Sequence, residues 1–113
     1  MKTIILVVLL STPLLGFSLT TEKSEFKVYG ACGMCKARIE KAAMIDGVKT
    51  AEWSQKTSML TITYESDKVD LDDIHKSIAE AGHDTEEVRA KDEIYKSLPA
   101  CCHYERKEDK NRE

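Results

Sequence analysis

Hydrophobic and polar residues alternate along the chain with two different periods, and the order of these periods predicts a fold. Alternation at every second residue is typical of strands with one buried face, and it occurs over residues 25–29, 48–53, 59–64 and 85–90. A helical spacing of apolar residues occurs over residues 36–45 and 71–81. The resulting order, strand–helix–strand–strand–helix–strand, is that of the split-βαβ plan. We therefore predict an α+β, ferredoxin-like βαββαβ fold in which a four-stranded antiparallel sheet carries two helices on one face.

The apolar positions of these segments define the predicted core. We expect six of them to be buried: Phe26, Trp53, Leu60, Ile62, Ile74 and Ile78. His75 lies outside the apolar stripe of the second helix, so we expect it at the surface. The first helix also carries three basic residues, Lys36, Arg38 and Lys41. A solvated helix face accounts for this basic patch, and electrostatic steering of an acidic partner is the alternative.

The two ends of the chain differ in character from the segment between them. Residues 1–18 combine Lys2, an apolar run and small residues, the pattern of a signal peptide that is removed on export. An uncleaved membrane anchor is the alternative, because residues 3–21 are uncharged and a membrane span needs ~20 residues. We place the domain at 24–90 and a C-terminal tail at 91–113, with a short helix, a Cys-Cys-His sequence and a frayed charged end. The expected location is periplasmic or extracellular.

Charge and cysteine usage narrow the function. The chain has 17 basic and 20 acidic residues, and loss of Lys2 with the signal peptide would leave 16 against 20, a net charge of −4. A nucleic-acid surface needs a clustered basic excess, so we exclude that partner. Four cysteines in an exported chain usually form disulfides. Here they occur as a C-x-x-C and an adjacent pair, and neither arrangement closes a long loop.

Cys32 and Cys35 lie where a glycine-containing loop enters the first predicted helix. A helix N-terminus lowers a thiol pKa, and the thiolate is the form that binds metal or attacks a disulfide. Thiolates select soft ions such as Cu(I), Hg(II) and Zn(II), although zinc usually takes four ligands. A thioredoxin-like dithiol is the rival hypothesis, but only one strand precedes the motif, and the one proline beyond residue 18 is Pro99. A structural disulfide would close a four-residue turn with little entropic gain.

Four more residues are candidates for additional ligands. His83 follows the second helix, and the βαββαβ topology places that loop beside the C-x-x-C. It is interpreted either as a ligand or supporting group, or as a solvent-facing loop residue. Cys101, Cys102 and His103 begin on the far side of the domain, but residues 91–100 are long enough to run back along it. We hypothesise that this tail supplies sulfur and imidazole ligands, and a cysteine pair that is oxidised or bound to another chain is the alternative.

The segment 25–90 resembles the heavy-metal-associated domain, as found in copper chaperones, copper-ATPase modules and the periplasmic mercury-binding protein. The similarity rests on the following residues: Cys32, Cys35, Ile39, Glu40, Ala42, Gly47, Val48, Ala51, Tyr64, Ala81 and Gly82. It implies a soft metal, usually Cu(I), held by Cys32 and Cys35. The chain departs from the usual family pattern because Gly30 lies only two positions before Cys32 and Met34 stands between the thiols.

These observations predict an exported, monomeric protein that binds Cu(I) through the C-x-x-C loop and transfers or sequesters it. Scavenging of Hg(II) is the alternative within the same fold, Zn(II) is a further candidate ion, and a thiol–disulfide oxidoreductase is the alternative of another class. On the first reading the protein is not an enzyme and its mature form is not embedded in the membrane. The expected partner is a metal donor or acceptor such as a heavy-metal transporter.

Overall fold

The computed structural model describes residues 20–106. The predicted signal peptide, residues 1–18, and the end of the tail lie outside these residues. Between residues 20 and 106, none of the helices has the length and apolar character needed to cross a membrane.

Three antiparallel strands form the sheet, namely β1 (Thr21–Lys27), β2 (Val48–Trp53) and β3 (Met59–Glu65). Their spatial order is β1-β3-β2, so β3 is the central strand. Its alternation explains this position, because Leu60, Ile62 and Tyr64 are all buried on one face. β1 begins earlier than the predicted residue 25, because Thr21 already pairs with Glu65.

Helices α1 (Gly33–Ala43) and α2 (Leu71–Glu80) complete the core. A capping box between Asp70 and Asp73 begins α2, and the Ser77 hydroxyl on α2 donates to the carbonyl oxygen of Ala42 at 2.6 Å. The predicted core residues are confirmed as buried, none with more than 4% exposure: Phe26, Trp53, Leu60, Ile62, Ile74 and Ile78. The ferredoxin-like architecture therefore follows from the predicted periods.

The predicted fourth strand over residues 85–90 is wrong. In the structure this segment makes one isolated bridge, between Val28 and Thr85. The hydroxyl oxygen of Thr85 accepts hydrogen bonds from the backbone N–H groups of Val88 (2.9 Å) and Glu87 (3.2 Å). The carboxylate of Asp84 accepts a hydrogen bond from the backbone N–H of Ala90 (2.7 Å). These side chains satisfy the N–H groups locally, which replaces a strand ladder by a turn.

The prediction that His75 is a surface residue is also wrong. Its ring is 2% exposed, lies 4.0 Å from the ring of Phe26, and has its Nδ1 2.6 Å from the Thr85 hydroxyl oxygen. The turn that replaces the fourth strand covers this side of α2, and Glu87 lies 3.8 Å from the Nε2 of His75. The helical stripe alone does not reveal this cover.

The tail folds back onto the domain. After helix α3 (Asp92–Lys96), a 3-10 turn at Ala100–Cys102 contacts α1 and buries Cys102. The Tyr104 hydroxyl donates to the carbonyl oxygen of Gly82 and accepts from the N–H of Asp84, both at 2.8 Å. The Arg106 guanidinium donates to both carboxylate oxygens of Asp84, at 2.9 and 2.8 Å. These contacts attach the tail to the loop after α2.

Gly82 is needed for this attachment. Its φ of +104° favours glycine, and a Cβ at this position would lie 2.9 Å from the Cδ2 of Leu98. Leu98 is buried and joins the core from the tail. The glycine that ends α2 therefore also leaves space for the returning chain.

The burial of His75 predicts a pH dependence of stability. Burial disfavours the imidazolium and lowers the pKa of His75 from its ordinary value of 6.5. Below that value the unfolded chain takes up a proton that the folded chain resists, so the free energy of unfolding falls as the pH drops from about 7.5 to about 5. We expect a smaller fall in His75→Asn, measured by urea denaturation of reduced protein across this range. His103→Asn removes an exposed histidine and should keep the parental slope; equal slopes in the parent and His75→Asn would contradict the prediction.

The Tyr104 hydroxyl is expected to control how well the tail covers Cys102. Tyr104→Phe leaves the buried N–H of Asp84 without its partner, at a cost of about 1–3 kcal/mol. We expect the alkylation rate of Cys102 in reduced, metal-free protein to rise several-fold relative to exposed Cys101, measured by mass spectrometry of the labelled peptides. Tyr64→Phe is the control, because it removes a hydroxyl bound to Glu22 and does not touch the tail. A rise of the same size in both variants would refute the assignment.

Candidate metal centre

The start of α1 positions the two thiols of the C-x-x-C. Cys32 is the N-terminal capping residue of this helix, and its carbonyl oxygen accepts from the N–H groups of Cys35 (3.0 Å) and Lys36 (3.3 Å). The first helical turn therefore brings the Sγ atoms of Cys32 and Cys35 to 3.6 Å from each other. Cys35 is fully buried and Cys32 is half-buried, so the pair faces outward through Cys32.

The loop before α1 rests on Trp53. A Cβ at Gly30 would lie 3.0 Å from two ring atoms of Trp53 and 3.1 Å from the Cβ of Cys35. The indole N–H of Trp53 donates to the carbonyl oxygen of Val28 at 2.9 Å, and its backbone N–H donates to Glu40 on α1 at 3.1 Å. Gly30, the residue at which this chain departs from the usual family spacing, thus allows the loop to pack closely on the core.

The tail brings the other two thiols to this point. The Sγ of Cys32 lies 3.6 Å from that of Cys102 and 3.3 Å from that of Cys101. The sulfurs of Cys32, Cys35 and Cys102 all lie within 4.8 Å of one another, and Cys101 is not a member of this group. Metal–sulfur bonds of about 2.3 Å place the sulfurs of a trigonal site about 4 Å apart. This three-sulfur cluster has the right size for one soft ion, and its three thiols and that of Cys101 are all free of disulfides.

Arg38 is the cation beside the cluster. Its Nη1 lies 3.3 Å from the Sγ of Cys102 and is placed to donate to it, which stabilises a thiolate or an anionic metal–thiolate unit. Lys36, by contrast, donates to Glu40 at 2.6 Å and to the carbonyl oxygen of Trp53 at 3.1 Å. Two of the three cations of the basic patch are therefore engaged within the chain, and Lys41 is exposed, as expected for a solvated helix face.

The thiols are electrostatically unequal. The backbone N–H of Cys35, followed by the Cys101 thiol, stabilises the thiolate of Cys32 and lowers its pKa to about 6. Burial, reinforced by the Cys102 thiol, raises the pKa of Cys35 to about 11. Burial also raises the pKa of Cys102, which Arg38 partly offsets. Cys32 is therefore the thiol with the largest thiolate fraction at neutral pH.

The two predicted histidines do not join the cluster. His83 is fully buried, so its interpretation as a solvent-facing residue is wrong. Its Nδ1 lies 2.8 Å from the carbonyl oxygen of Tyr29, its ring stacks on Tyr104 at 5.6 Å, and its Nε2 has no hydrogen-bond partner among residues 20–106. Burial lowers the pKa of His83 and keeps it neutral. His103 is exposed and its ring lies 5.2 Å from that of Tyr95.

Sequence reasoning missed the residues that hold the tail in place. Tyr104 and Arg106 follow the Cys-Cys-His sequence, and Arg106 belongs to the charged stretch predicted to fray. Both instead bind Asp84. The available signal was an aromatic residue and an arginine shortly after the cysteine pair. Their partner, Asp84, lies 20 residues before Tyr104 and 22 before Arg106, so the sequence alone does not reveal the contact.

Comparison with known proteins finds solved structures that share the fold of this domain. The CopZ metallochaperone is 29% identical, with a TM-score of 0.55 over 57% of this chain and 98% of its own. The N-terminal domain of a potential copper-translocating P-type ATPase from Bacillus subtilis, solved in the Cu(I)-loaded state, is 30% identical, with a TM-score of 0.55 over 57% of this chain and 84% of its own. Oxidized MerP from Ralstonia metallidurans CH34 shares the fold at 24% identity, with a TM-score of 0.55 over 58% and 94%.

A comparison with curated proteins gives no significant match. The sequence profile of the heavy-metal-associated domain matches residues 25–84, which is more than half of the 113 residues. The matched segment contains β1 from Glu25 onward, both thiols of the C-x-x-C, and α2. The chain therefore belongs to the heavy-metal-associated domain family.

Proposed function

We propose that this protein binds Cu(I) in a three-sulfur site formed by Cys32, Cys35 and Cys102, and that it transfers or sequesters the ion. The observation that carries this proposal is the convergence of these three sulfurs within 4.8 Å. Two of them come from the start of α1, and the third comes from the returning tail. According to this proposal, the protein is a binding protein and the ion is its cargo.

The donor set favours Cu(I) among the soft ions. Thiolates are preferred by Cu(I) and Zn(II), but zinc sites are almost always closed by four tetrahedral ligands. The three-sulfur cluster contains no histidine or carboxylate within the 4.8 Å group, among the residues that the structure describes. Hg(II) is the alternative cargo, since two thiolates suffice to hold it and the same cluster supplies them.

The unequal burial of the sulfurs supports a transfer route. Cys32 is half-buried and carries the lowered pKa, whereas Cys35 and Cys102 are buried, so Cys32 is the most accessible of the three proposed ligands. Cys102 belongs to the tail, and it can withdraw without disturbing the helix that holds Cys35. A partner thiol then replaces Cys102 on the ion, so the metal passes between proteins without being released. A heavy-metal transporter is the proposed partner, as the similarity to a P-type ATPase domain supports.

The signal-peptide pattern of residues 1–18 supports export as the setting for this function. An exported site meets an oxidising environment, in which four neighbouring thiols need a bound ion or a reductant to stay reduced. Fractionation of cells that make the full-length chain would test this, and mature protein that retains residues 1–18 in the cytoplasm would refute it.

Loss of the tail thiol should weaken binding of the first ion. We expect Cys102→Ser to lower Cu(I) affinity by about 10–100-fold, at least the effect of losing an outer-shell partner, and Cys32→Ser or Cys35→Ser to lower it further. Anaerobic competition with a Cu(I) chelator measures the affinity, and X-ray absorption measures the number of sulfur ligands, three in the parent and two in Cys102→Ser. Cys101→Ser is the matched control and should keep the affinity for the first ion. Two sulfurs in the parent, or equal affinity in Cys102→Ser, would overturn the three-sulfur site.

One observation favours a thiol–disulfide oxidoreductase as the second candidate. The pKa of Cys32 is lowered to about 6 and that of Cys35 raised to about 11, which suits an attacking and a resolving thiol. However, the tail thiols lie 3.3 and 3.6 Å from Cys32 and would have to withdraw before a disulfide substrate could reach it. We expect insulin reduction no faster than with free dithiothreitol. A rate enhancement that Cys32→Ser abolishes would establish the redox function instead.

A further inference from the structure

Cys101 is a soft ligand that the three-sulfur site leaves unused. Its side chain is exposed at the surface of the docked tail. Its Sγ lies 3.3 Å from that of Cys32 and 3.9 Å from that of Cys102, yet Cys101 is not part of the group whose sulfurs all lie within 4.8 Å. A tetrahedral ion with bonds of about 2.3 Å needs its four sulfurs about 3.8 Å apart, and Cys101 does not meet even the 4.8 Å limit that the other three sulfurs satisfy. The arrangement is therefore three sulfurs plus one at the side.

A second soft ligand atom, the sulfur of a methionine, lies beside Cys101. The thioether Sδ of Met34 lies 3.6 Å from the Sγ of Cys101. Met34 stands in the first turn of α1, between the two thiols of the motif, and is 56% exposed. A side chain this exposed contributes little to the core, so packing does not explain its position beside Cys101. Thioethers are ligands for Cu(I) and are not ligands that hard cations choose.

We propose a second Cu(I) site at the surface of the first, in which the ion is held by the thiolate of Cys101, the thioether of Met34 and the thiolate of Cys32. This proposal rests on the proposed function, because Cys32 is shared and bridges the two ions. Each cysteine binds as a thiolate and releases its proton to solvent.

The charges of such a site are close to balanced. Two Cu(I) ions and four thiolates carry +2 and −4, a sum of −2, and the neutral thioether adds none. Arg38, 3.3 Å from the Sγ of Cys102, offsets one of these negative charges. Because Cys32 is shared, the outer ion lies on the route by which the inner ion enters and leaves.

Anaerobic titration of the reduced protein with Cu(I) alone, followed by native mass spectrometry, tests the second site. We expect the parent to bind two ions as a monomer, and Cys101→Ser to bind one. Met34→Leu should bind the first ion normally and the second at least about tenfold more weakly, as expected for the loss of a metal-supporting side chain. Met44→Leu is the matched control, because Met44 is also exposed, at 47%, but lies at the other end of α1.

The outcomes separate this inference from the function on which it rests. One ion in the parent, unchanged in Cys101→Ser, overturns the second site and leaves the three-sulfur site standing. One ion whose affinity falls in Cys101→Ser also overturns it, in favour of a single four-sulfur centre. Two ions that appear only in a dimer, or equal losses in Met34→Leu and Met44→Leu, would refute it as well. No bound ion in the parent would refute the proposed function itself. Far-UV circular dichroism confirms that each variant is folded.

Discussion

The buried carboxylate of Asp84 is the interaction on which the arrangement of this protein depends. Asp84 is 6% exposed, and a buried carboxylate is stable only when it is paired and hydrogen-bonded. Arg106 supplies two hydrogen bonds and the N–H of Ala90 a third, while the backbone of Asp84 binds Tyr29 on one side and the Tyr104 hydroxyl on the other. Removing one partner of such a pair typically costs about 3–5 kcal/mol. The side chain and backbone of this one residue thus link the loop after α2 to the segment that follows β1 and to the tail.

This attachment explains why the candidate metal centre has two parts of different character. Cys32 and Cys35 are set by the first turn of α1, a local structure that packs on Trp53 and the core. Cys101 and Cys102 are set by contacts between elements that are distant in sequence. Any ion that binds Cys102 together with Cys32 favours the docked tail by the difference in its affinity for the docked and undocked states. Binding and docking are therefore linked, and each stabilises the other.

The sequence predicts the local part of this structure well and the non-local part poorly. Three of the four predicted strands, the two main helices and the six core residues follow from periodicity, and the position of Cys32 and Cys35 follows from the loop-to-helix pattern. The fourth strand fails because the Asp84 and Thr85 side chains bind the backbone groups that a strand would use. The prediction that His75 is exposed fails because the resulting turn covers its side chain. Neither effect has a periodic signature, since each depends on which side chain meets which backbone group after folding.

The docking of the tail is a second non-local feature that the sequence does not predict. Its length shows that residues 91–100 can reach the C-x-x-C, but reach does not specify a docked state. The docked state is specified by three residues. Tyr104 and Arg106 form hydrogen bonds with Asp84, and Leu98 packs against Gly82. Two of these three residues follow the cysteine pair, and their role is visible only when the loop after α2 is in place.

The short tether of Cys102 also sets the conditions under which the proposed site could give up an ion. The tail leaves the domain after Ala90, which is bound to Asp84, and returns at the Ala100–Cys102 turn. A thiol on a short tether acts at an effective concentration in the millimolar range even when the tether is flexible. A free monothiol must be present at a comparable concentration to compete with it. Efficient exchange therefore favours an acceptor that presents two thiols together, so that its second sulfur offers the same intramolecular advantage.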